Sequence, residues 1–404
     1  MKHEAFLIVF AALAILVLLP NSCEAQSALP GKGDQWVGTW VSAPQLVEPG
    51  NMPPPPGMAD TTLRQVVHVT LGGKWIRVKF SNSFGGAPLS IKSAHVALFA
   101  GGAAIKPESD KALAFSGQPS ITIPVGELVI SDPIPFDLAP LSDLVVTIHV
   151  IDPTRAITGH PGARCTSYLL AGDHVSDANL PGAATTEHWY YLSGVDVVAK
   201  KSARVVAILG DSITDGRNSF ENGNGRWPDN LARRLQADRK TRNVAVLNQG
   251  IGGNCVIRGG LGPTALSRLD RDIFSQSGVH WLVVFEGIND LGSHFTHAQD
   301  LIAAFQQIIT KAHAQGLKVY GVTITPCGGS FYYSPQLEAD RQAINTWIRT
   351  SGQYDAVIDF DAVARDPQNP SHLLASVDGG DHLHPSNEGY KILANSIDLK
   401  LFEK

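Results

Sequence analysis

The spacing of hydrophobic and polar positions changes once along the chain, near residue 200. Between 61 and 200 the apolar residues fall in short runs separated by turn residues, and helical spacing is nearly absent. Residues 74–83 are the clearest case. Trp75, Arg77 and Lys79 alternate with Ile76, Val78 and Phe80, the period of a half-buried strand. The runs 62–71, 90–100, 119–125, 127–131, 143–150 and 186–199 read as further strands, and Gly72-Gly73 predicts a hairpin joining 62–71 to 74–83. This stretch is expected to form an all-β sandwich or jelly roll.

Beyond 200, strand-like apolar runs at 204–210, 243–249, 280–287, 318–325 and 355–361 alternate with amphipathic helical patterns at 228–239, 264–278, 296–316 and 335–352, and a last helix at 386–402. Strands this apolar, separated by helices, predict a parallel sheet covered on both faces. In such sheets ligands bind beyond the C-terminal strand ends.

The 404 residues fit about two domains. Residues 1–25 read as a signal peptide, with an apolar run at 5–20 and cleavage after Ala25. Lipidation of Cys23 and a retained anchor are the alternatives. Residues 26–60 hold one strand-like piece and a proline-rich loop, 61–200 the β-domain, and 201–404 the α/β domain. The expected location is secreted or periplasmic, with no stable membrane association after cleavage. A net charge of −5 offers no basic face for nucleic acid. Without the leader, Cys165, Cys255 and Cys327 remain, so at most one internal disulfide can form. Pairing of Cys255 with Cys327 and free buried thiols are both open.

Four short blocks carry candidate chemistry, each following a predicted element of the second half. The first, Gly210-Asp211-Ser212, puts a serine on the turn after a strand, beside backbone N–H groups that could hold an oxyanion. It is not a phosphate loop, because Gly216 is followed by Arg217-Asn218, nor a G-x-S-x-G elbow, because Thr214 replaces the second glycine. The second block, 248–254, is glycine-rich and lets backbone approach a ligand closely. The third, 286–290, contains Asn289, whose amide can donate to an oxyanion. The fourth, 378–386, spaces Asp381 three residues before His384, so that the carboxylate can fix the imidazole tautomer and leave Nε2 as base. A competing reading makes Asp378, Asp381, His382 and His384 metal ligands, but it leaves the serine block unexplained. No metal or cofactor is expected.

In this order the blocks (GDS, NxGxxG, GxND, DxxH) resemble the SGNH hydrolases, also called GDSL esterases and lipases, over residues 203–404. The resemblance implies a flavodoxin-like three-layer α/β/α domain. It implies Ser212 as nucleophile, His384 as base and Asp381 as its orienting partner. The implied oxyanion hole is the backbone N–H of Ser212 and of Gly253 with the Asn289 side chain. Asp211 is a motif residue without a clear chemical role. Cys255 beside the second block and Glu286 before GxND depart from the usual pattern. The N-terminal half, at 39–45 and 62–73, looks like the β-domain of two-domain secreted SGNH esterases of bacteria, some of which act on plant cell-wall polysaccharides. Trp75, His160, Trp189 and Tyr190 could line a sugar groove or be ordinary core, and 158–169 is polar enough to reach the active-site mouth. The expected substrate is an ester, with an acylated polysaccharide as the specific expectation. The alternatives are a broad short-chain carboxylesterase or lipase and, from another class, a carbohydrate-binding protein with a silent hydrolase half.

Overall fold

The computed structural model describes residues 31, 33–152, 156–293 and 296–403, so the leader and Cys23 lie outside the described residues. In the second half five strands form one parallel sheet, in the spatial order Val244–Gly250, Arg204–Gly210, Val279–Phe285, Lys318–Val322, Ala356–Ile358. Along the chain this order is 2-1-3-4-5, the flavodoxin-like arrangement. The strand starting at Arg204 shows why the sheet needs cover on both faces. Ala207 and Leu209 share a core with Leu301, Phe305 and Ile344. Val206 and Ile208 share another with Trp227, Leu231 and Leu393. Helices Ala298–Ala314 and Pro335–Thr350 therefore cover one face, and Trp227–Ala237 and Asn387–Ser396 the other.

One expected helix differs. Residues 264–278 form turns and a five-residue π-helical stretch, Asp270–Phe274. The apolar spacing is obeyed, since Ala265, Leu269 and Ile273 are buried, but Arg268 and Asp272 on the same segment are buried too. A segment that must aim a guanidinium inward does not have the polar outer face of a regular amphipathic helix.

The first half is a sandwich of two antiparallel sheets, with a third, three-stranded one made of Gln45–Leu46, Thr158–His160 and Trp189–Tyr190. Of the two sandwich sheets, one contains Asp34–Val41, Leu192–Lys200, Gly73–Ser81 and Ile134–Leu138, with Leu128–Ile130 beside Gly73–Ser81; the other contains Ala184–Thr186, Ser167–Ala171, Thr61–His68, Asp143–Val150 and Leu89–Gly101. The predicted hairpin is not formed, because Thr61–His68 and Gly73–Ser81 lie in different sheets. The backbone between them bonds elsewhere: Val69 N–H donates to Ser142 O, Thr70 N–H to Thr39 O, and Leu71 O accepts from Thr39 Oγ1 at 2.6 Å. Gly72 is needed for close approach, since a Cβ there would lie 2.3 Å from Leu138 O.

The two halves share one core. Val205, Ala245 and Leu247 of the parallel sheet belong to the same apolar cluster as the sandwich. Val244–Gly250 is an edge strand, and the sandwich covers it. Thr70 Oγ1 accepts from Val246 N–H at 3.1 Å, and its single proton goes to Thr39 O at 2.8 Å, with Val246 O farther off at 3.2 Å. The polar side of Gly73–Ser81 faces protein rather than water. Buried Asp196 takes Arg77 and Lys79, each at 2.8 Å, and also accepts from Ser277 Oγ at 3.0 Å. Thr70→Val should orphan the Val246 N–H, take one donor from the Thr39 carbonyl and lower unfolding free energy by about 1–3 kcal/mol. Urea denaturation with an unchanged midpoint would show that the edge strand does not need this hydroxyl.

Candidate active site

The strand Arg204–Gly210 runs into a one-turn helix, Ser212–Asp215. Asp211 is its cap: the buried carboxylate accepts from Ile213 N–H at 2.9 Å. That gives the motif aspartate a structural role. Gly210 admits the turn, since a Cβ there would lie 2.1 Å from Thr214 Oγ1. Gly216, at φ 96°, ends the helix by donating to Ser212 O.

Ser212 Oγ lies 2.8 Å from His384 Nε2, and His384 Nδ1 lies 2.7 Å from Asp381 Oδ2. Asp381 also accepts backbone N–H from His384 at 2.8 Å and Leu383 at 3.1 Å, and faces Asn218 Nδ2 at 3.4 Å. Burial pushes this carboxyl up, but the bonds from His384 and Leu383 outweigh it and hold it at about 2. An ionised Asp381 accepts only, so Nδ1 carries the proton and a neutral ring accepts the Ser212 hydroxyl through Nε2. Burial lowers the His384 pKa against the opposing pull of Asp381, and the positive charges of Arg217 and Arg164 lower it further. The ring is therefore kept in the form able to take a proton.

The second block reaches the same turn. Asn248 Nδ2 donates to Thr214 O at 2.8 Å, and its Oδ1 accepts from Gly250 N–H at 2.9 Å. Gly250 touches the nucleophile helix so closely that a Cβ would lie 2.4 Å from Asp215 N. Gly253, at φ 69°, turns the loop in a conformation that suits glycine. Among the described residues, neither its N–H nor that of Ser212 is spent on another group. Asn289 lies in the first turn of the helix Ile288–Gly292, which follows Gly287, and donates from Nδ2 to Asn254 O at 2.9 Å, one residue past Gly253. Asp290 anchors the rest of the loop by accepting Val256 N–H at 2.8 Å and Ile257 N–H at 3.1 Å. The arrangement is a hydroxyl–imidazole–carboxylate chain beside a loop offering unspent N–H donors, which suits acyl transfer.

Residues 208–392 match the model of the GDSL-like lipase/acylhydrolase family. The chain carries a GDSL-like lipase/acylhydrolase domain. It is a carboxylic ester hydrolase. Among solved structures the hydrolase is similar to a carbohydrate acetylesterase family member from Sinorhizobium meliloti, at 15% identity and TM-score 0.40, over 49% of this chain and 97% of that one. It is also similar to the M. smegmatis aryl esterase (17%, TM-score 0.39, 48% and 96%) and to the acetyl xylan esterase AlAXEase (24%, TM-score 0.38, 48% and 96%). No curated protein matches the chain.

Below the site the hydrolase buries an unusual group of charges. Arg268 is fully buried and donates to Gly210 O, Gln249 O and Asn254 Oδ1, while facing Asp272 at 3.1 Å and Glu286 at 3.4 Å. Burial pushes Asp211 up to about 7, Asp290 to about 6, and Glu286 well above its ordinary range, and neighbouring carboxylates add to the rise of Asp211 and Glu286. Glu286, a departure in the sequence, thus belongs to this cluster and not to the reacting surface.

The β-half touches the nucleophile helix directly. His160 Nδ1 donates to Ala43 O at 2.9 Å, and its Nε2 meets Asp215 Oδ1 at 2.9 Å. Gly162 lies against the same carboxylate, where a Cβ would come within 1.8 Å of Asp215 Oδ2. Segment 158–169 therefore reaches the nucleophile helix through buried contacts. His160, Trp189 and Tyr190 are buried and Trp75 is half-buried, so the first three do not line an open sugar groove. His160 instead stacks on Trp189 with ring centroids 5.7 Å apart.

The four residue types of the metal reading split into two pairs, Asp378–His382 at 2.6 Å and Asp381–His384 at 2.7 Å, and no metal-ligand cluster of three or more occurs among the described residues. Cys165, Cys255 and Cys327 are free and buried, so the possible Cys255–Cys327 disulfide is not formed. Burial pushes their thiols up to about 12, 12 and 11, which leaves little thiolate to oxidise beside the loop. The residues missed from sequence are Arg268, Asn254, Asp290, Asp215 as the partner of His160, and Tyr332, which donates to Asn289 Oδ1 at 2.9 Å. Asn254 and Asp290 stood inside the quoted blocks; the others carried no local signal.

Two pH effects follow. The lowered His384 pKa places the acid limb of kcat/KM below the ordinary histidine value of about 6.5; a limb at or above it would contradict this environment. Stability behaves differently. A carboxyl with a raised folded pKa binds its proton more tightly when native, so its stabilising share is full below its unfolded value and lost as pH rises through the folded one. For Asp290 and Asp211 those folded values are about 6 and about 7. The melting temperature should fall from about pH 4 to about pH 7, and Glu286→Gln should flatten the fall. An identical slope in the variant would show that Glu286 is not coupled to the cluster.

Proposed function

We propose that Ser212 is the nucleophile of a secreted or periplasmic serine ester hydrolase that removes acetyl or other short acyl groups from carbohydrate. The observation that carries the chemistry is the continuous chain from Ser212 Oγ through His384 to Asp381, with contacts of 2.8 and 2.7 Å. His384 Nε2 takes the Ser212 proton as Oγ attacks the ester carbonyl, and Asp381 steadies the imidazolium. The developing oxyanion is held by the N–H groups of Ser212 and Gly253 and by the Asn289 amide. The tetrahedral intermediate collapses with His384 protonating the leaving alcohol, and water repeats the sequence on the acyl-serine. Ser212→Ala should abolish turnover without changing the melting temperature, and Asn289→Ala should lower kcat by roughly 10²-fold or more.

The carbohydrate part of the proposal rests on the likeness of the N-terminal half to β-domains of two-domain secreted esterases, and export rests on the apolar segment at 5–20. One observation favours the broad carboxylesterase reading. Leu261, packed against Gly253, and Phe331, beside Tyr332, are 48% and 76% exposed on loops next to the oxyanion side. Ser212-dependent release from acetylated xylan, p-nitrophenyl acetate and p-nitrophenyl octanoate separates the two. Strongest release from xylan supports the deacetylase, and preference for the octanoate ester supports the carboxylesterase. Turnover that survives Ser212→Ala overturns both.

A further inference from the structure

We propose that Tyr332 is a positioning residue that aims the Asn289 amide at the oxyanion; the inference rests on Asn289 being a donor in the reading above. An asparagine amide has one carbonyl oxygen and two N–H bonds. Here Asn289 Oδ1 accepts from Tyr332 Oη at 2.9 Å, and one Nδ2–H is spent on Asn254 O at 2.9 Å. Rotating the amide by half a turn would set its oxygen against the Asn254 carbonyl, acceptor against acceptor, so that contact fixes which end is which. The Tyr332 hydroxyl holds the opposite end. With both ends held the amide plane is fixed, and the second Nδ2–H is left with one direction in which to donate.

Asn289 is only 6% exposed, so without Tyr332 its oxygen has little access to water as a replacement donor. A hydrogen bond to the amide oxygen also draws electrons from the nitrogen and strengthens its remaining N–H as a donor. The oxyanion demands most from that N–H in the transition state, so the loss should fall on kcat rather than on KM.

The phenol is itself held in place. Its ring lies over the helix Ile288–Gly292 where that helix has no side chain: a Cβ on Gly292 would come within 2.5 Å of the ring. Phe331 packs on it with centroids 4.3 Å apart. The loop is pinned behind by Gly328 N–H to Ser371 O at 2.6 Å and closed by Tyr333 N–H to Ser330 O at 3.1 Å. Burial raises the Tyr332 pKa, which keeps the hydroxyl a donor at neutral pH. Tyr332 thus reaches Asn289 from a loop more than forty residues away, through a gap left by Gly292.

The test is a double-mutant cycle on Tyr332→Phe and Asn289→Ala, read as kcat and KM on p-nitrophenyl acetate. Tyr332→Phe alone should lower kcat by about 10-fold with KM unchanged, the size of one lost hydrogen bond. In the Asn289→Ala background the same substitution should have no further effect on kcat. Gly292→Ala, which drives a methyl group into the ring, should reproduce the kcat loss while Tyr332 is still present. Equal losses in both backgrounds would overturn the inference, because Tyr332 would then act without Asn289. A full-strength Asn289→Ala effect beside a silent Tyr332→Phe would overturn it as well. A silent Asn289→Ala would instead overturn the oxyanion assignment itself, and the inference with it.

Discussion

The guanidinium of Arg268 gathers the parts on which the site depends. It sits in the interior and donates to the carbonyls of Gly210 and Gln249, near the ends of two neighbouring parallel strands. It also holds Asn254, the residue after Gly253, and faces Glu286 at the end of the third strand. Three of the four chemical blocks therefore meet on one side chain. A cation so placed is costly to strand: removing one partner of a buried pair typically costs 3–5 kcal/mol. One guanidinium does not neutralise Asp211, Glu286 and Asp290 together. This is why burial dominates those carboxyls and raises them, while Asp381, at the surface end of the site and rich in N–H donors, is driven the other way.

Around that centre, glycines set the distances. Gly210, Gly250 and Gly162 each lie where a single methyl would collide with the nucleophile helix. The helix is thus approached from its own strand, from the second block and from the β-half. Its one turn is too short to be stable alone and stands because it is enclosed. The β-half contributes to that enclosure through His160 and to the sheet through Thr70, so it is part of the hydrolase's architecture and not a separate attachment.

What could be read from the sequence divides along physical lines. The four blocks were legible because the nucleophile and donors sit at strand ends and the base on the loop entering the last helix, where local composition departs from what packing requires. The parallel sheet was legible because its strands are apolar on both faces. The failed hairpin shows the limit: Gly72-Gly73 marks a reversal, but only contacts with Thr39, Leu138 and Ser142 decide which sheet receives the next strand. Arg268 was hidden because a charged residue at helical spacing reads as a solvated face. Tyr332 and the His160–Asp215 contact were hidden because the partners, Asn289 and Asp215, are 43 and 55 residues away.

The pairing of Asp34–Val41 with Leu192–Lys200 bears on how the protein is made. As the chain emerges from the ribosome, its first strand has no partner on this side until some 150 residues more have been synthesised. The sandwich core then still lacks Val205, Ala245 and Leu247. When Val244–Gly250 emerges, the surface that receives it, Thr70 included, has already been made, so the first half can act as a template for the edge of the second. His384 comes 172 residues after Ser212. The reacting pair therefore meets only near the end of synthesis, and a polypeptide stalled midway has the nucleophile but not its base.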